Sequence, residues 1–480
     1  MTLRGRVDCI YLFKMKFNKS NLIQAYCRRL AGRIGDFLLP ARRRQYVAVL
    51  ASLIVVGCTT PPMPAHDTAK RVQSAANLAN AIQFHTNALP VEAAAAPNRL
   101  PMATAIERAL HQSTELQIAL AEVRAAQADA RQSRLLPNPI LNIALRLPEG
   151  GGRTIIETGL TTELAKLLGR PRRISAADAR LRSASAQAVT VALDVMHQTQ
   201  QNYFEAVALQ QETAILAQRT AQLSELLRLT EVRLAAGEGT QLDVVTLKAE
   251  LATANLDLRE ARRRINRTHF ALAHRLGQPA GRIDWELATP LYTQIALRDE
   301  RDAIAHGLRV RPEMQANRWQ LAALRDDKAL AKLSWLEGAA AGLRTERDGD
   351  WSIGPTAQVP LPLFDSGEAR RAKARAQAIA ARQRVAQTAR KITAEIREAH
   401  DAVAESMTNA RQAQTQLLPL YEQRVDLERK VFEAGQEDVT RLRLAELDHL
   451  EAQLKHIRLQ HQTALAILRL DRAVGGSTAE

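Results

Sequence analysis

Apolar residues recur through much of this chain at alternating spacings of four and three. Leu247, Leu251, Ala254, Leu258, Ala261, Ile265, Thr268 and Leu272 form one such series. Val385, Ala389, Ile392, Ile396, Ala399 and Val403 form a second, and Leu447, Leu450, Leu454, Ile457, His461, Ala464 and Leu468 a third. A narrow stripe at this spacing predicts long helices that pack along a coiled-coil seam, and the alanines within it allow close approach. No proline lies between Pro171 and Ala236, which predicts a single helix over Arg172–Ala236 about 100 Å long at about 1.5 Å per residue. Pro419 is expected to bend the later helix that contains it.

In two places the period changes to two. Leu141, Ile143, Leu145 and Leu147 alternate with Asn142, Ala144 and Arg146, and Trp351, Ile353, Pro355, Ala357 and Val359 alternate with Ser352, Gly354, Thr356 and Gln358. This pattern predicts amphipathic strands. Companion strands are expected over 153–162, after Glu149-Gly150-Gly151-Gly152, and over 338–345, before Arg347-Asp348-Gly349-Asp350. Pro137-Asn138-Pro139 stops the helix over Glu115–Leu136, because proline lacks the amide donor and constrains the residue before it.

The order of elements repeats. Residues 101–298 and 299–475 each read short helix, helix, two strands, very long helix, turn and long helix, followed by a tail at 476–480. The fold class is therefore mainly α with a small β part: long antiparallel helical hairpins and four strands per chain. Strands of nine or ten residues have the length that crosses a bilayer. Four strands cannot close a barrel, and open edges are not tolerated in lipid, whereas three chains would supply twelve strands.

Charge and cysteine usage sharpen the reading at one end. The net charge is +15, but residues 1–57 hold eleven Lys or Arg against Asp8 and Asp36, leaving +6 for the rest of the chain. That distribution removes most support for a nucleic-acid partner. Arg42-Arg43-Arg44 followed by an apolar run over 46–56 has the form of an export signal, so residues 1–57 are expected to be a signal peptide. Val55-Val56-Gly57-Cys58 resembles the lipobox of bacterial lipoproteins, which implies a mature chain acylated at Cys58. Thr59 in place of aspartate implies sorting to the outer membrane. Residues 58–100, rich in Pro, Ala, Asn and Thr, read as a tether with a short helix over 68–84.

The turns after the long helices read Leu234-Ala235-Ala236-Gly237-Glu238-Gly239-Thr240-Gln241-Leu242-Asp243-Val244 and Val431-Phe432-Glu433-Ala434-Gly435-Gln436-Glu437-Asp438-Val439. They resemble the paired hairpin tips of the TolC family of outer-membrane efflux proteins. Pro137-Asn138-Pro139, Arg311-Pro312-Glu313 and Val359-Pro360-Leu361-Pro362-Leu363-Phe364-Asp365 are similar to family positions as well, and the last two lean toward its heavy-metal cation branch. The resemblance implies a homotrimer with a twelve-strand barrel and a twelve-helix periplasmic tube in a Gram-negative envelope. It also implies a periplasmic adaptor and an inner-membrane pump docking at Gly237, Thr240, Asp243, Gly435, Glu437 and Asp438. Against the family pattern the second tip reads one residue short, with Arg441 and Leu444 at the offsets where aspartates usually stand. Glu437 and Asp438 are then candidates for an acidic ring at the aperture.

No catalytic constellation, cofactor motif or metal cluster emerges. Gly237-Glu238-Gly239 lacks the strand and lysine of a phosphate loop and reads as a helix cap. The pairs His269/His274 and His456/His461 are five apart and do not share a helix face. Asp326-Asp327 reads as exposed helix carboxylates, and Arg170-Pro171-Arg172-Arg173 as a positive collar where strand meets helix. The sequence thus predicts a passive conduit for metal cations or drugs, with a coiled-coil envelope scaffold lacking a pore as the alternative.

Overall fold

The computed structural model describes residues 82–476 except 83, 91–97, 148, 151–153, 281–282, 284, 289–296 and 349. Contacts divide the chain into Met1–Met63 and Pro64–Glu480, and every described residue belongs to the second unit. The signal peptide, Cys58, most of the tether, its expected helix up to residue 81 and residues 477–480 lie outside the described residues.

The first repeat contains β1 (Arg99–Leu100), α1 (Met102–Gln112), α2 (Thr114–Arg134), β2 (Ile140–Arg146), β3 (Ile155–Glu163), a short α3 (Leu164–Leu168), α4 (Arg170–Ala235) and α5 (Gln241–Arg275). After β4 (Glu286–Leu287), the second holds α6 (Glu300–Val310), α7 (Pro312–Leu330), a tight turn of helix (Ala331–Leu336), β5 (Ala340–Asp348), β6 (Asp350–Gln358), α8 (Glu368–Gln412), α9 (Leu418–Glu433) and α10 (Val439–Val474). The main helices start at 102, 114, 170 and 241 in the first repeat and at 300, 312, 368 and 439 in the second, a constant step of 198. The repeat is thus kept to the residue at the helix starts.

α4 is unbroken over 66 residues, about 100 Å. Its counterpart is not. Ahead of Pro419 a π-helical turn over Ala413–Leu417 separates α8 from α9, because proline cannot donate to the preceding turn and the wider turn absorbs the mismatch. The expected disruption at Pro419 therefore appears as a π-bulge, a device found often at functional sites.

The seams pack as their spacing predicts. Leu247, Ala254, Leu258, Ala261, Thr268 and Leu272 of α5 are buried, as are Ile392, Ile396, Ala399 and Val403 of α8 and Leu447, Leu450, Leu454, Ala464 and Leu468 of α10. Leu223 and Leu226 of α4 meet Leu247, Ala254 and Leu447, so α4 lies between α5 and α10. α10 in turn lies against α8 and α9. Midway along α4 a two-stranded parallel sheet, β1 with β4, is pinned by Tyr203. This fully buried side chain places its hydroxyl 2.8 Å from the Leu100 carbonyl and 2.7 Å from that of Ala288.

The four remaining strands form one antiparallel sheet in the order β2-β3-β5-β6. The two hairpins meet where β3 pairs with β5, and β2 and β6 are left as free edges. A side chain at Gly342 would meet the Leu160 carbonyl oxygen at 1.9 Å, so glycine there permits the close approach of the two repeats.

Candidate functional site

Residues directly opposite one another in an antiparallel pair share a face, so the register sorts the sheet into two surfaces. One carries Leu141, Ile143 and Leu145 with Ile156, Leu160, Leu343, Ile353 and Trp351, and it includes the Thr158 and Thr345 hydroxyls, bonded to each other. The other carries Asn142, Arg146, Glu157, Arg344, Glu346 and Ser352. On the polar face Glu157 is 4% exposed and takes Arg146 at 2.7 Å and Arg344 at 3.0 Å. One carboxylate thereby ties both neighbouring strands to β3, which lowers the cost of burying its charge.

The apolar face is open. Leu141, Ile143, Leu145 and Ile353 are 63–65% exposed, and Leu147 and Trp351 are exposed as well. Contiguous large apolar side chains left in the open mark a surface meant for lipid or protein. Arg347 stands over the Trp351 ring at 5.7 Å near the hairpin end, a pairing suited to a membrane–water boundary. No helix among the described residues is long and apolar enough to cross a membrane; that statement does not bear on strands.

At the far end of the long helices both turns close by the same device. Gly237 and Gly435 adopt φ of 80° and 69°, and Glu238 and Gln436 donate to the carbonyls of Arg233 and Val431, five residues back. Such a closure needs a left-handed residue, hence glycine. Five residues separate the helices at each tip, 236–240 and 434–438, so the second tip is no shorter than the first. Beyond the turns the tips diverge. Thr240 and Asp243 form a complete capping box at the start of α5, whereas Asp438 makes no side-chain cap to α10 and Arg441 stands where Asp243 does. Asp438 is instead held by Arg233 of the first hairpin and by the Thr440 hydroxyl, and Glu437 pairs with Arg441 at 2.9 Å. Both candidate ring carboxylates thus carry arginine partners within the chain. Leu242 and Val245 on the first hairpin, and Phe432 and Leu444 on the second, leave apolar surface exposed at the tips.

The Arg311-Pro312-Glu313 segment builds a centre that the sequence did not disclose. Arg311, 6% exposed, bonds Glu313 at 3.0 Å and also engages Glu395 of α8. Arg472 of α10 reaches Glu313 at 2.5 Å and Asp194 of α4 at 2.8 Å. Burial works to raise the Glu313 pKa, but the hydrogen bond from Arg311 and the charges of Arg472 and Arg311 outweigh it and hold it at about 2. Partners 84 to 278 residues apart leave no spacing signal in the sequence.

One expectation needs correction. Asp326 is buried and bonded by Arg172 at 2.9 Å, and Asp327 is bonded by Arg180, so these carboxylates clamp α7 to α4 and are not free helix acids. In the segment read as a positive collar, Arg170 donates to the Arg134 carbonyl and Arg173 to that of Lys166, bonds that leave both charges in place. His269, His456 and His461 are partly buried, which lowers their pKa values. No group of metal-ligating side chains forms among the described residues.

A small sheet with one apolar face and two free edges is joined to helices about 100 Å long. Solved structures of outer-membrane proteins share this fold. Residues 303–476 match the family described as outer membrane efflux protein. The cobalt-zinc-cadmium resistance protein CzcC of Cupriavidus metallidurans is 23% identical over 404 residues, which span 81% of this chain and 93% of that protein. The outer membrane protein VceC of Vibrio cholerae has a TM-score of 0.64 at 20% identity, covering 78% of this chain and 96% of that one. The open-state outer membrane channel MtrE of Neisseria gonorrhoeae has 0.63 at 17%, covering 78% and 89%.

Proposed function

We propose that this chain is the outer-membrane exit duct of a tripartite efflux system, a passive conduit for metal cations or drugs. The observation that carries the reading is the amphipathic four-stranded sheet with free edges at β2 and β6. In lipid every backbone donor and acceptor must be paired, so such a sheet is completed by further copies. Three protomers close a twelve-strand barrel, and their α4–α5 and α8–α10 hairpins form the periplasmic tube. Cys58 carries the lipid anchor. Gly237, Thr240, Asp243, Gly435, Glu437 and Asp438 mark the tips that meet a periplasmic adaptor and, through it, an inner-membrane pump. The duct does no bond chemistry: its described polar clusters join helices and strands to one another. The likeness to a cobalt-zinc-cadmium resistance protein supports metal cations as the first cargo to test.

The test is expression of the full chain with its own signal, followed by envelope fractionation, mass of the detergent-extracted oligomer and single-channel recording. A heat-resistant trimer in the outer membrane that conducts is expected, with fatty-acid label lost in Cys58→Ala. A soluble monomer or dimer without conductance would leave the coiled-coil scaffold in its place. Restoration of zinc or cobalt tolerance in a duct-deficient strain, set against restoration of dye tolerance, decides the cargo.

A further inference from the structure

Directly after β6 the chain runs through Val359-Pro360-Leu361-Pro362-Leu363-Phe364 with its side chains in the open: Leu361 and Leu363 are 76% exposed and Phe364 fully so. This strap is not slack. At its base Asp365 accepts from the Gly367 amide at 2.7 Å and from Arg370 at 2.7 Å, and Arg370 also engages Glu337. Gly367, at φ of 75°, lies so close to Ser334 that an added Cβ would meet its hydroxyl at 2.1 Å. At the entry to β2, on the opposite edge of the same sheet, a second corner is arranged in the same way. Leu135, Leu136 and Ile140 are exposed, while Leu135 donates to the Gln132 carbonyl and Arg134 is fixed by Asp178 at 2.9 Å.

Resting on the trimer reading above, we propose that the strap 359–364 is an intersubunit clasp that seats on the Leu135–Ile140 corner of a second copy of this chain. The topology dictates the meeting. If the β6 edge of one protomer pairs antiparallel with the β2 edge of the next, whatever follows β6 runs alongside whatever precedes β2. Pro360 and Pro362 on one side and Pro137 and Pro139 on the other lack amide donors, so the ladder stops there on both chains. Association beyond that point is side-chain packing, and each partner presents apolar side chains on a pinned backbone. The charges of Asp365, Arg370 and Glu337 beside Phe364 disfavour burial of the strap in hydrocarbon, which favours a protein occupant over lipid.

The experiment uses the full chain in membranes. Cysteines are placed at Leu361 or Leu363 together with Leu135 or Leu136, and singly as controls, then oxidised and run without reductant. At least one double variant is expected to give a reducible covalent trimer that neither single variant forms, since a disulfide requires Cα atoms within about 7 Å. Native mass is measured on the same samples before oxidation. A native trimer in which no pair cross-links overturns the clasp and leaves the trimer standing, whereas a native monomer removes the trimer reading and the clasp with it. In a Phe364→Trp variant whose native Trp285, Trp319, Trp335 and Trp351 are replaced by Phe, fluorescence quenching by brominated lipid would show the strap in the bilayer and also overturn the proposal; an unquenched, blue-shifted emission supports it.

Discussion

The two repeats share residue-exact helix starts, yet they hold themselves together differently. In the first, two joints are closed locally: Ser113 caps α2 by accepting from the Leu116 amide, and Thr240 with Asp243 caps α5. In the second, the corresponding positions are Arg311, Asp438 and Arg441; Arg311 and Asp438 bond across elements, to Glu395 and Arg233, while Arg441 pairs with nearby Glu437. A local cap is complete as soon as its own helix forms. A cross-element ion pair completes only when distant helices have docked. The second repeat is therefore the half whose joints report tertiary assembly, and it is also the half that contains the π-bulge.

The largest test of that contrast sets Arg311 against Ser113. Arg311→Ala leaves Glu313 and Glu395 facing each other with one buried cation removed, and the expected loss is about 3–5 kcal/mol. Ser113→Ala removes one cap bond and is expected to cost about 1 kcal/mol. Denaturant or thermal unfolding of the detergent-solubilised protein reads both. Equal costs would mean that the ion centre is no more than a second kind of cap.

Acid gives the next effect. Glu313 is held at about 2 against a usual value of 4.5, so its ionised form is favoured by folding. That contribution is complete above about pH 4.5 and is lost as the pH falls from there toward 2, amounting to at most about 3 kcal/mol. Glu313→Gln is expected to lower stability at neutral pH and to flatten this part of the acid limb. An unchanged limb would place the acid sensitivity in other carboxylates.

Much of this architecture is legible in the sequence because helices and strands write their periods into it. The seams at 247–272, 392–403 and 447–468 and the alternation at 141–147 needed no tertiary information. What stayed hidden depends on pairing across distance. Asp326 looks like any exposed helix acid until Arg172 is seen to bond it, and the partners of Arg311 lie on two other helices. The tips were located by Gly237 and Gly435, since a left-handed helix end nearly requires glycine.

At the tips the contrast narrows to Thr240 and Glu437. Thr240→Ala opens the capping box of α5 and is expected to cost about 1 kcal/mol, read as faster amide exchange over 241–244. Glu437→Gln removes a partly buried partner four residues ahead of the exposed Arg441, and such pairs contribute about 0.3–0.5 kcal/mol. The cation left behind stands in the first turn of α10, where the helix dipole already opposes it, so exchange at 439–442 should quicken slightly. Conductance provides the discriminating readout. A carboxylate whose role is to offset Arg441 leaves cation selectivity almost unchanged when neutralised. A marked loss of selectivity in Glu437→Gln would mean that it faces the ions in the aperture, and the acidic ring would then stand in spite of the arginine beside it.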